Sequence, residues 1–215
     1  MSLETETMAI KTISDSDLNE VVHIHQKAFK GFLMTLLGQK FLYEYYHLVL
    51  NYPDNISLIY ETDNGQILGF ATGYMNPARF YSELKKRKIK LILSALMHIA
   101  LRPRLWKRIL DSYRYADIHS SANNSEKDTA ELASIAVDPD LQNKGVGREL
   151  LSAFINEAMT RDASKVVLTT DAEDNEHVNK FYKKAGFSIQ GTFEKSKGRK
   201  MNQYVYYLDQ SDSEA

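Results

Sequence analysis

A glycine-bearing, basic loop that opens into a helix is the feature of this chain best suited to holding a phosphate. The stretch Ile135-Ala136-Val137-Asp138-Pro139-Asp140-Leu141-Gln142-Asn143-Lys144-Gly145-Val146-Gly147-Arg148 runs from an apolar, strand-like segment through an Asp-Pro turn into a helical pattern. Leu150, Leu151, Phe154, Ile155, Ala158 and Met159 then recur at helical spacing. A helix start aims unpaired backbone N–H groups and the positive end of its dipole at one point, where an anion is the natural occupant. Gly145 and Gly147 let the main chain approach such a ligand, and Lys144 and Arg148 bring positive charge to it. The pattern is neither a Walker loop nor a dinucleotide fingerprint, because it lacks both Gly-Lys-Ser/Thr and an early G-x-G-x-x-G. On the two glycines alone, a plain strand–turn–helix connection is the better account.

The order of the whole stretch reverses that balance. Q-x-x-G-x-G, with an apolar strand and a Val-Asp-Pro turn before it and Leu150-Leu151 after it, resembles the acetyl-CoA pyrophosphate motif of the GNAT N-acetyltransferases. A second stretch reads Asn175-Glu176-His177-Val178-Asn179-Lys180-Phe181-Tyr182-Lys183-Lys184-Ala185-Gly186-Phe187. It is similar to the family pattern N-x-x-A-x-x-F-Y-x-K-x-G-F, with Val178 where alanine is usual. The strong part of the resemblance spans residues 131–191. It implies that the amides of Gln142, Asn143, Lys144, Gly145, Val146, Gly147 and Arg148 hold the pyrophosphate of acetyl-CoA. It also implies that Ile135, Ala136 and Val137, on a strand splayed from its neighbour, bind the pantetheine arm and polarise the carbonyl, with Phe181 beside the cofactor.

Acetyl transfer to an amine requires a base for the amine, polarisation of the thioester, and a proton for the departing thiolate. The resemblance puts Tyr182 near the sulfur as general acid, a role that suits a phenol of pKa ~10; a core aromatic is the competing account in a chain with 13 tyrosines. A glutamate at this position is the base, often through water, in some members of the resembled family, which makes Glu131 the base candidate, against an exposed strand-end glutamate. Asn175 contacts the cofactor arm in the family and also fits a helix N-cap; both readings stand. His25 lies on an apolar helix face, which favours a core histidine. The other histidines show no metal spacing, so no metal is expected.

These residues need strands and helices to carry them. Residues 8–13 read as a first strand, and Ser14 or Ser16 as the cap of a helix bearing Leu18, Val21, Val22, His25, Ala28 and Phe29. A second helical pattern follows Gly38. Residues 56–62 and 66–74 flank Asp63-Asn64-Gly65 as a hairpin, which Pro77 ends. Residues 80–114 look helical, broken at Arg102-Pro103-Arg104. A strand, helix, strand, helix and two closing strands follow. The expectation is an α/β fold, a GNAT-like mixed central sheet with helices on both faces and a helical insertion (80–114) between the third and fourth strands. Residues 1–215 read as one acetyl-CoA-binding domain, with about 1–7 and 209–215 mobile.

The resemblance implies that the acceptor site is built from parts that vary between family members, here the aromatic segment 29–46, for which helix packing is the competing account. Its A-F-x-G-F, L-G-x-x-F-L and Y-Y elements bear a weaker likeness to family members associated with bacterial surface polysaccharides, which makes an amino sugar one candidate acceptor. Residues 85–101 join a basic run to an apolar one too short to span a bilayer; core packing, a lid, a membrane surface or a homodimer interface would each account for it. A net charge of −1 argues against a nucleic-acid partner. The absence of cysteine excludes disulfides and a cysteine acyl-enzyme, and fits a cytoplasmic location. Three functions remain: direct transfer from acetyl-CoA to a small amine, a CoA-binding sensor or scaffold without catalysis, or a nucleotide-phosphate-binding protein of another family.

Overall fold

The computed structural model describes residues 8–99, 128–141, 145–195 and 198–208. Its strands are β1 (Met8–Thr12), β2 (Asn55–Thr62), β3 (Ile67–Met75), β4 (Thr129–Val137), β5 (Lys165–Asp171), β6 (Ser188–Lys195) and β7 (Arg199–Tyr207). The helices are α1 (Leu18–Ala28), α2 (Leu33–Leu36), α3 (Gln39–Leu50), α4 (Pro77–Ile99), α5 (Val146–Thr160) and α6 (Glu176–Lys184). All seven strands join one sheet in the order β1-β2-β3-β4-β5-β7-β6, antiparallel except for the β4–β5 pair.

Alternation along the strands sends side chains to opposite faces. On β2, Ile56 and Tyr60 join Leu150, Phe154 and Tyr182 beneath α5 and α6, whereas Ile59 packs with Leu18, Val21, Leu42 and Tyr46 beneath α1 and α3. Helices therefore cover both faces. Phe154 and Leu150 have no exposed surface, and burying each contributes about 1.5–3 kcal/mol. A third cluster, with Val49, Tyr52, Tyr74, Phe80 and Leu91, seats α4 against α3 and the sheet.

The Asp63-Asn64-Gly65 turn joins β2 to β3, with Gly65 at φ +81° as such a turn demands. Pro77 does more than end the hairpin. It is the first residue of α4, where its missing N–H costs nothing, so the helix starts before residue 80. Residues 100–114 of the expected insertion, the 102–104 break and both mobile-terminus expectations lie outside the described residues. Among the described residues, no helix is long and apolar enough to cross a membrane.

Candidate active site

The two strands at the centre of the sheet part company. β4 and β5 pair only at Thr129↔Lys165, Ala130↔Val166 and Glu131↔Val167. Beyond that vertex β5 follows β7 to Asp171↔Met201, while β4 continues along β3 to Gly69↔Val137. The register of β3 and β4 shifts between Thr72 and Gly73, so Ala133 bulges out of the ladder just after the vertex. A wedge is left, with the unpaired side of Leu132–Val137 on one wall. Ile135, Ala136 and Val137 stand on that wall, and unpaired strand backbone binds an extended chain through its N–H and C=O groups.

At the open end of the wedge, α5 begins. Gly145, at φ +81°, is its N-cap, and its carbonyl accepts from the N–H groups of Arg148 (2.9 Å) and Glu149 (3.1 Å). The N–H groups of Val146 and Gly147 have no acceptor within the helix and point out of its positive end. A Cβ on Gly147 would lie 3.6 Å from Val137 and 4.0 Å from Phe181. Strand end, helix start and α6 thus meet at one point, from three separate parts of the sequence. Arg148 is exposed there. Gln142, Asn143 and Lys144, the first half of the expected phosphate loop, lie outside the described residues.

The turn leading into that loop is held from α1. Lys27 Nζ donates to Asp138 Oδ2 (2.8 Å) and Asp140 Oδ2 (2.7 Å), and the Asp140 N–H donates to Asp138 Oδ1 (3.0 Å). Burial opposes ionisation of Asp138, but the bonds from Lys27 and the Asp140 N–H outweigh it and hold the carboxyl below its usual range.

Glu131 sits at the vertex of the wedge. It is not an exposed strand-end residue: its carboxyl group lies among Tyr45 of α3, Tyr74 of β3, Tyr81 of α4 and Lys195 of β6. Oε1 accepts from the Tyr81 hydroxyl at 2.7 Å and from that of Tyr74 at 3.4 Å. Burial raises its pKa; the two tyrosines and Lys195 lower it, without cancelling the rise. Burial also lowers the pKa of Lys195, helped by Arg199 and opposed by Asp171 and Glu131. Arg199 holds both oxygens of Asp171 through Nε and Nη2, the latter at 2.7 Å, and lies 5.3 Å over the ring of Phe32. Phe32, in the aromatic segment, is 40% exposed, whereas Leu42 and Tyr46 of that segment are core. The segment therefore divides between packing and a wall facing the hairpin of β6 and β7.

Tyr182 is buried between Phe181, Phe187 and Tyr204, with ring centroids 5.2–5.7 Å away. Burial pushes its pKa up, and no described residue hydrogen-bonds its hydroxyl. Asn175 occupies the N-cap of α6 but does not cap with its side chain; Nδ2 donates to Thr170 Oγ1 (2.8 Å) and the Asp171 carbonyl (3.1 Å). His25 is a core residue, with Nδ1 2.7 Å from the Tyr46 hydroxyl and a pKa lowered by burial to about 4. Among the described residues, no group of His, Cys, Asp and Glu could hold a metal. The tyrosines around Glu131, Lys195 and Lys27 carry no spacing signal, since 50 residues separate Tyr81 from Glu131 and 111 separate Lys27 from Asp138.

This geometry agrees with the family that the sequence resembles. The model of the acetyltransferase (GNAT) family matches residues 18–187. No curated protein sequence matches the chain. Among solved structures, the chain is similar to the ribosomal-protein-S18-alanine N-acetyltransferase of Escherichia coli, with 18% identity, a TM-score of 0.59, and coverage of 97% of this chain and 99% of that one. It is also similar to yncA of Salmonella typhimurium, solved with its cofactor acetyl-CoA (16% identity, TM-score 0.57, 96% of each chain). The spermidine/spermine N-acetyltransferase SpeG of Vibrio cholerae is another (14% identity, TM-score 0.57, 93% of each chain).

Proposed function

This chain belongs to the GNAT acetyltransferase family, and from that premise we propose that it transfers the acetyl group of acetyl-CoA directly to a primary amine of a small acceptor, with Glu131 as base. One observation carries the reading: the carboxylate stands at the vertex from which β4 and β5 diverge. The site fits acetyl-CoA through the side of β4 left unpaired at Ile135, Ala136 and Val137, the N–H groups of Val146 and Gly147, and Arg148. Phe181 packs beside Gly147, and Asn175, whose Nδ2 is held by Thr170 and Asp171, would meet the cofactor arm with its side-chain oxygen. Residues 142–144 would complete the phosphate loop. Residues 1–215 act as one domain in this reading.

Glu131 takes a proton from the acceptor ammonium, directly or through water. The freed amine nitrogen bonds to the acetyl carbon as the C–S bond breaks. Backbone N–H groups of β4 stabilise the charge on the carbonyl oxygen. The nitrogen gives up its second proton to solvent, and the departing thiolate takes the hydroxyl proton of Tyr182, which its raised pKa keeps protonated at rest and which solvent then reprotonates.

Thiol release from acetyl-CoA against a panel of amines tests this. The panel holds a peptide with an N-terminal alanine, polyamines and amino sugars, the last from the aromatic segment 29–46. At least one amine should release CoA, and Glu131→Gln should lower kcat/KM by ~10²–10⁴-fold. A Glu131→Gln protein as fast as the wild type would refute the base assignment, and no transfer to any amine would favour the sensor.

A further inference from the structure

The helix between the third and fourth strands delivers one hydroxyl to the vertex of the wedge. We propose that Tyr81 of α4 is a positioning residue for the reaction, clamping the Glu131 carboxylate so that its second oxygen meets the acceptor amine. The inference rests on the reading of Glu131 as base.

Three observations carry it. The Tyr81 bond to Oε1 is short, at 2.7 Å, whereas Tyr74 reaches the same atom only at 3.4 Å. Both hydroxyls converge on Oε1, and Oε2 receives no hydrogen bond from the described residues, which leaves it for the substrate. The Tyr81 ring is fixed independently of that bond, 6.0 Å from Tyr74 and 5.8 Å from Phe80 in edge-on packing. The hydroxyl is therefore aimed by the helix, and its removal need not move the ring.

A donor to a carboxylate favours the charged form. Burial works against that form here, and the groups facing Glu131 are Tyr45 from α3, Tyr74 from β3, Tyr81 from α4 and Lys195 from β6. Beyond Lys195 lies the Asp171–Arg199 pair. Of these, Tyr81 forms the short hydrogen bond. Losing it should raise the pH at which the base becomes protonated by about one to two units, the size expected of a bond to a charged group.

The test is the pH profile of kcat/KM for wild type, Tyr81→Phe, Tyr74→Phe and Glu131→Gln, with thermal melting of each. Tyr81→Phe should move the acidic limb up by about one to two units, and Tyr74→Phe should move it by far less. If Glu131→Gln is inactive yet the Tyr81→Phe limb stays in place, the Tyr81 inference fails and the base stands. If Glu131→Gln keeps the wild-type rate and limb, the base reading itself has failed. Should Tyr81→Phe not fold, 3-fluorotyrosine at position 81 decides the matter. As a stronger donor of nearly the same size it should move the limb down, and an unmoved limb overturns the proposal.

Discussion

Gly73 offers a sharp test of the geometry around the base, because its missing side chain faces backbone. A Cβ placed there would lie 2.0 Å from the Glu131 carbonyl oxygen, and 2.6 Å from the ring of Phe154. Ordinary contact begins near 3.4 Å, so β4 would have to withdraw by about 1.4 Å at its bulge. Overpacking of this kind costs about 1–3 kcal/mol, and a ladder hydrogen bond lost with the withdrawal costs about 1 kcal/mol more. The stiffer unfolded chain returns at most ~1 kcal/mol. Gly73→Ala should therefore destabilise by about 1–4 kcal/mol, or roughly 2–16 °C in Tm for a domain of this size. It should also displace Glu131 by about 1 Å, which costs ~10²-fold in kcat/KM. Gly191→Ala supplies the contrast, since nothing lies within 4 Å of a Cβ on that strand. There the same change should be neutral or stabilising by up to ~1 kcal/mol. Urea denaturation with midpoint and slope, read beside thiol-release kinetics, measures both. A Gly73→Ala protein within about 0.5 kcal/mol of wild type, with unchanged kcat/KM, would refute the close approach of β3 to β4.

Three further outcomes are expected. His25, neutral when folded with a pKa lowered from 6.5 to about 4, binds its proton first in the unfolded chain. Its stabilisation is complete above pH 6.5 and is lost on acidification toward pH 4, by up to about 3 kcal/mol. His25→Leu should flatten that part of the urea-midpoint profile, and an identical slope would count against the burial argument. Free CoA at 100 times its Kd should add about 2.7 kcal/mol, or roughly 5–11 °C in Tm, with ATP giving less; a larger shift with ATP would point to another ligand class. Tyr182→Phe should lower kcat more than it raises KM, and activity equal to wild type with a good acceptor would remove the acid role.

Local chemistry made much of this fold legible. The Asn64-Gly65 turn and the helical spacing after Gly145 each depend on residues close in sequence, and each stands where expected. Pro77 was half-read: a residue that ends a strand also suits the first turn of a helix, so α4 begins earlier than its apolar pattern shows. The four-residue α2 lies within an aromatic segment that has no period of its own. The surroundings of Glu131 were not legible, because Tyr45, Tyr81 and Lys195 reach it from three elements joined only by the fold. A signal did exist in β3. Glycine inside a strand marks close backbone approach, and a Cβ on Gly69 or Gly73 would meet the backbone of β4, at 2.7 Å from the Ala136 carbonyl oxygen and 2.0 Å from that of Glu131.

The parting of β4 from β5 also exposes an open strand edge inside the sheet. Such an edge pairs with any extended chain that reaches it, including a segment of another protein molecule. A pantetheine arm lying along Leu132–Val137 would compete for the same backbone groups. On the proposed placement of the cofactor, the ligand-free enzyme would be the form most open to strand addition, and CoA would cover the edge. The cofactor's standing concentration would then bear on the colloidal stability of the protein as well as on its rate of turnover.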